Sequence, residues 1–180
     1  MSQSYEIDMC HGPLFGKIIR FSIPLMLSGI LQLLFNAADI IVVGRFVGST
    51  ALAAVGSTSS LINLLINLFI GFSVGANVLV ARFHGAGRDD EVNETVHTAI
   101  TLSMISGIFL LIFGVTVTRT LLIWMGSPDD VLDQSSLYLK IYFLAMPATL
   151  LYNFGSSILR AVGDTKRPLF YLVTAGIINV

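Results

Sequence analysis

Charge is scarce in this sequence. Asp, Glu, Lys and Arg make up 12% of its 180 residues, about half the share of a soluble domain, and too few to solvate a globule of this length. The formal net charge is −1. No basic face is concentrated enough to grip a phosphate backbone, so no nucleic-acid partner is expected. Cysteine is almost absent: Cys10 stands alone, which excludes an internal disulfide. Cys10 and His11 would offer two metal ligands, but no third stands nearby, and no metal is expected there. Residues 1–9 contain Glu6 and Asp8 and no apolar stretch, so neither a cleaved signal peptide nor a lipoprotein signal is expected. The first apolar helix then serves as its own insertion signal.

What remains is apolar. Hydrophobic residues account for 54% of the chain, and the mean hydropathy is +0.83. The natural solvent of such a chain is lipid, and the expected class is an all-α polytopic membrane protein. A spanning helix needs about 20 mostly apolar residues. Four runs meet that requirement, near residues 21–43, 52–80, 98–117 and 137–159. A fifth begins at residue 168 and is cut off at 180, after about 20 Å of rise, too short for a core of about 30 Å. The reading is a cytoplasmic segment over 1–20, then four full spans and a truncated fifth over 21–180, from a longer protein.

Punctuation supports these limits. GRFVGST, FHGAGRDDEVNET, GSPDD and RAVGDTKRP separate the runs. In GSPDD, Ser127 is placed to cap a helix, with Pro128 at its first position and Asp130 completing a capping box. Lys17, Arg20, Arg82, Arg88, Arg160, Lys166 and Arg167 fall on one side of the membrane. Arg45, Arg119 and Lys140 fall on the other. Seven against three puts the N-terminus in the cytoplasm and Trp124 at the outer interface.

Within the runs, polar residues recur at helical spacing. The stretch LLFNAADIIVVGRF, residues 33–46, holds Asp39, the one acid placed inside a span. Asn36 lies three residues before it and Gln32 four before that, so all three share a face. A mid-bilayer carboxylate costs about 2.5–3.5 kcal/mol on insertion scales, so that face is expected to meet a polar interior. The second run repeats the pattern with Gly56, Ser60, Asn63, Asn67 and Gly71, and Gly71 and Gly75 form a G-x-x-x-G pair that permits close helix approach. The fourth carries Tyr152, Asn153, Ser156 and Ser157 beyond a helix-bending Pro147, and the fifth ends near Asn179.

Bland readings stand beside these. Asn63 and Asn67 serve equally well as interhelical glue. If the first span runs from Ile18 to Ala38, Asp39 is simply solvated at the outer interface. If instead it is buried, its carboxyl can bind a proton in one conformation and release it in another. With the oxygens of Asn36, Asn153 and Asn179 nearby it can alternatively hold sodium, a hard cation that prefers oxygen. GAG at 85–87 lacks the third glycine and preceding strand of a nucleotide fold. His84 and His97 flank a loop with no partner carboxylate pattern. No nucleophile motif or metal cluster appears, so catalysis has no support and no cofactor is expected.

The run GPLFGKIIRFSIPLMLSGILQLLFNAADIIVVGRFVGSTALAAVG, the later GFSVGANVLVARFHGAGRDDE, PDDV…YLKIYFLAMPATLLYNFGSSILRAVGDTKRP and the closing INV resemble, in order and spacing, the multidrug and toxic compound extrusion (MATE) family. The resemblance covers residues 12–180. It implies the N-lobe part of a twelve-helix, two-lobe transporter that exports drugs and organic cations across the plasma membrane by antiport with protons or sodium. It also implies that Asp39 is the cation-coupling residue, with Asn153 and Asn179 as its partners. The second lobe would be missing here, and a piece of one lobe should not transport, because alternating access rocks two halves about a central site. A flippase of related fold for lipid-linked or polysaccharide precursors is the rival, although its more basic cavity fits these arginine-poor interiors less well. A truncated, inactive membrane scaffold is the third reading.

Overall fold

The computed structural model describes residues 7–9 and 12–179; Cys10 and His11 lie outside the described residues, as does Val180. Helix α1 covers Leu14–Val42 and passes through a π-helical turn, Val43–Val47, into α2, Ser49–Gly85. Helix α3 follows at Asp89–Trp124, then α4 at Asp129–Leu144, α5 at Met146–Ala161 and α6 at Lys166–Asn179. Among the described residues there is no strand. Three helices, α1 with its π turn, α2 and α3, are long and apolar enough to cross a membrane.

The fourth apolar run is divided. Pro147 has no N–H to donate and its ring crowds the preceding turn, so α4 ends at Leu144 and α5 restarts at Met146. Helix α3 packs against both segments. It does so through glycines: a Cβ on Gly107 would lie 2.6 Å from Pro147 Cα, and one on Gly114 would lie 2.0 Å from the Phe143 ring. The bend is thus clasped by a smooth strip of α3. Around it Ile62, Leu110, Leu122, Leu139, Phe143 and Met146 form the apolar core.

Hydroxyls and one amide tie this bundle together. Ser57 and Ser135 share a hydrogen bond at 3.0 Å between α2 and α4. Ser157 Oγ donates to the Ser73 carbonyl at 2.8 Å, and Asn77 Nδ2 donates to the Ser157 carbonyl at 2.6 Å, both between α2 and α5. Buried polar groups are tolerated in apolar surroundings when each finds such a partner.

Two sequence expectations shift. Gly71 and Gly75 are exposed, with nothing within 4 Å of a Cβ on either; close approach in this chain falls on Gly107 and Gly114 instead. Ser127 does not cap α4, which begins at Asp129, one residue later than the motif placed it; its N–H joins the close of α3, donating to the Leu122 carbonyl at 3.1 Å while Gly126 N–H donates to Ile123 at 3.0 Å. That pair of bonds closes α3 around the positive φ of Gly126, 74°. Pro128 consequently takes the cap position of α4, which has no side-chain cap bond.

Helix α1 stands apart from this core. Only Pro24 and Ser28 are buried on it, and its packing partner is α6. At their starting ends, the segment before α1 crosses the turn before α6: Ile7 N–H donates to the Gly163 carbonyl at 3.3 Å, and Lys17 Nζ donates to the Asp8 carbonyl at 2.5 Å. Asp164 is fully buried and caps α6, its Oδ1 accepting from the Lys166 and Arg167 N–H groups at 3.1 Å each.

The glycine clasp makes a differential prediction. Gly107→Ala and Gly114→Ala should each destabilise the protein by about 2 kcal/mol through overpacking and lower the thermal midpoint of the purified protein by roughly 5 °C. Gly71→Ala and Gly75→Ala should leave that midpoint unchanged or slightly raised. Equal effects at all four positions would contradict the packing described.

Candidate functional site

The site begins with a ring and a glycine. Phe35 on α1 lies against Gly176 on α6, so closely that a Cβ there would fall 1.8 Å from the ring. One turn further along both helices stand Asp39 and Asn179. Asn179 Nδ2 donates to both carboxylate oxygens of Asp39, at 3.1 and 3.3 Å. Residues 140 positions apart in sequence are thereby joined by a charge-assisted bond.

Both partners are exposed in the described chain, as are Asn36 and Gln32 on the same helix. Among the described residues, neither Asn36 nor half-buried Asn153 hydrogen-bonds to Asp39.

The remaining polar candidates lie elsewhere. Tyr152 donates its hydroxyl to the Pro168 carbonyl at 3.3 Å, tying α5 to the first turn of α6. Asn67 donates to the Asn63 carbonyl at 2.8 Å within α2. Gly56, Ser60, Asn63, Asn67 and Gly71 are all exposed, whereas Ala54, Thr58 and Ile62 turn inward. The polar stripe of α2 therefore faces away from the core rather than gluing it. His84 and His97 are exposed.

Chemically, the Asp39–Asn179 pair offers four oxygen lone-pair positions on the carboxylate and an amide of either polarity. With its nitrogen toward Asp39, the amide satisfies the anion. Turned by half a rotation, it presents an oxygen instead, and a hard cation fits between the two. Among the described residues no three His, Cys, Asp or Glu side chains converge as a transition-metal site would require.

The comparisons with known proteins agree on one family. A family profile described as MatE matches residues 24–180. The probable multidrug resistance protein YoeA of Bacillus subtilis is 35% identical over 160 residues, 89% of this chain and 35% of that protein. An FAD transporter of Shewanella oneidensis is 27% identical over 169 residues, 93% of this chain and 37% of its own. Among solved structures, MATE in the straight conformation superposes with a TM-score of 0.82 at 29% identity, over 89% of this chain and 35% of that one. The chain spans about a third of the length of the relatives it matches. On this match, and on the all-helical membrane fold that carries it, the chain belongs to the MatE family of membrane transporters.

Proposed function

We propose that this chain is the N-terminal part of an ion-coupled antiporter that exports drugs and organic cations, with Asp39 as the coupling carboxylate. The observation that carries the reading is the Asp39–Asn179 pair. It joins a carboxylate on the membrane-length α1 to an amide on α6, where binding of a proton or sodium would alter how α1 meets α6. A proton neutralises the carboxylate and weakens the charge-assisted bond; sodium rotates the amide and replaces the donor. Either change biases the packing of two helices, which is what coupling to a conformational equilibrium requires.

Asn36 and Asn153 remain candidates for completing the ion's oxygen shell, with Gln32, Asn63, Asn67 and Tyr152 as polar positions around it. The plasma membrane is the proposed location, with four complete crossings over 21–43, 52–80, 98–117 and 137–159 and a fifth from 168 onward. The bias of Lys and Arg favours a cytoplasmic N-terminus, and a second lobe would supply the other wall of the pathway. The relatives' names favour drug export over the precursor-flippase alternative. That one relative is an FAD transporter shows that substrate does not follow from family.

Two experiments test the reading on the intact protein in sealed vesicles. Asp39→Asn keeps the shape of the side chain and removes its titration, and should reduce dye efflux at least ten-fold and abolish dependence on the proton or sodium gradient; unchanged efflux with unchanged ion dependence would remove Asp39 from the mechanism. Gly176→Leu should force α6 off Phe35 and separate Asn179 from Asp39, lowering the apparent affinity for the coupling ion about ten-fold while the α2–α5 core still folds. Wild-type ion dependence in that variant would show that the pair does not set coupling.

A further inference from the structure

The start of the chain is fastened across the turn between α5 and α6. Helix α5 closes with Gly163 N–H donating to the Arg160 carbonyl at 3.1 Å and Asp164 N–H to the Leu159 carbonyl at 2.9 Å. These bonds form around the positive φ of Gly163, 88°. The Gly163 carbonyl then accepts from Ile7 N–H at 3.3 Å. Glycine is needed there twice over, because a Cβ would also fall 2.5 Å from the Ile7 carbonyl oxygen. The second fastening is to α1, where Lys17 Nζ donates to the Asp8 carbonyl at 2.5 Å. Residues 7–9 thereby bridge the start of α1 to the α5–α6 turn.

The bridge is lightly held. Between it and α1 lies a hollow of about 360 Å³, open to solvent and lined by Ile7, Asp8, Pro13, Gly16, Lys17 and Arg20. Asp8 is exposed, and Ile7 and Met9 are only half-buried. The turn it crosses is nevertheless sealed: Gly163, Asp164 and Thr165 are all buried. Arg167 Nε lies 3.1 Å from Asp164 Oδ2, an ion pair without hydrogen-bond alignment. Among the described residues, Thr165 Oγ1 and Arg160 Nε are buried with no hydrogen-bond partner. Water would satisfy both, so the sealed turn carries a cost that opening relieves. Two hydrogen bonds and a half-buried isoleucine stand against two unmet polar groups. A segment so balanced opens locally while the bundle stays folded.

We propose that residues 7–9 form a releasable strap. Closed, it fastens the start of α1 to the α5–α6 turn and shields Thr165 from water. Open, it admits water to the turn and frees the starting ends of α1 and α6 to part. Asp39 and Asn179 stand toward the far ends of the same two helices, so the strap controls one end of the pair whose other end carries the coupling carboxylate. That purpose rests on the export reading; the strap itself does not.

The test uses the intact protein in nanodiscs, with its native cysteines replaced by serine. Thr165→Cys should react slowly with a water-soluble maleimide. Adding Ile7→Pro, which removes the N–H donor, or Lys17→Met, which removes the tie to α1, should speed that reaction about ten-fold or more. Thr58→Cys, fully buried in α2, should stay unreactive in every background. In the same strap variants, spin labels on Phe15→Cys and Phe170→Cys, both exposed positions, should gain a longer-distance population beside the wild-type one. Equal labelling of Thr165→Cys with and without the strap substitutions would overturn the proposal, and so would an unchanged label-to-label distance. A parallel rise at Thr58→Cys would overturn it as well, because the segment would then support the whole bundle. Neither readout involves transport, so both stand whether or not Asp39→Asn alters efflux.

Discussion

The candidate site depends on one close approach, the Phe35 ring lying on Gly176. Helix α1 has almost no other anchorage along its length: two of its residues are buried, and its face toward α6 is the one that packs. Without a Cβ on Gly176 the two helices come near enough for side chains one turn on to meet. Asp39 and Asn179 are those side chains. A carboxylate among apolar residues needs a donor, and here the donor is delivered by backbone geometry rather than by a loop.

The rest of the chain divides the labour. Helices α2 to α5 form a core whose buried polar atoms are mostly internal ties, from Ser57 to Ser135 and from Asn77 and Ser73 to Ser157. Its close contacts, Gly107 on Pro147 and Gly114 on Phe143, lock the bend that divides α4 from α5. Such a core resists rearrangement because every contact is specific to one register. The α1–α6 pair has few contacts and one charged bond. Among the described residues the α1–α6 pair is thus held more loosely than the bundle.

Much of this was legible in sequence. Apolar runs bounded by glycine-rich, charged turns gave the helices, and the three-and-four spacing of Gln32, Asn36 and Asp39 placed them on one face. The pairing of Asp39 with Asn179 came from family resemblance; spacing within one helix cannot say which residue of another will face it. The G-x-x-x-G pair at Gly71 misled for the same reason: a smooth strip permits close packing, but which strip is used depends on what lies opposite. Gly107 and Gly114 are seven apart and matched no short pattern, yet they meet Pro147 and Phe143. Ser127 misled because α4 starts one residue later than the capping pattern supposed, with Pro128 at the cap position.

The exposed polar faces constrain what surrounds this chain. On α1, Asp39, Asn36 and Gln32 point outward, and on α2 so do Ser60, Asn63 and Asn67. Both helices are otherwise among the most apolar in the molecule. Facing lipid, the carboxylate alone would cost about 2.5–3.5 kcal/mol, and amide groups left without a partner would add to that cost. Their own core does not receive them, because α2 turns Ala54, Thr58 and Ile62 inward instead. These faces must then meet water or further protein. The same helices leave Leu33, Leu34, Leu64 and Leu68 exposed as well, so the polar stripes are narrow, and whatever covers them must offer water or polar groups at Asp39 and Asn63 and apolar surface on either side.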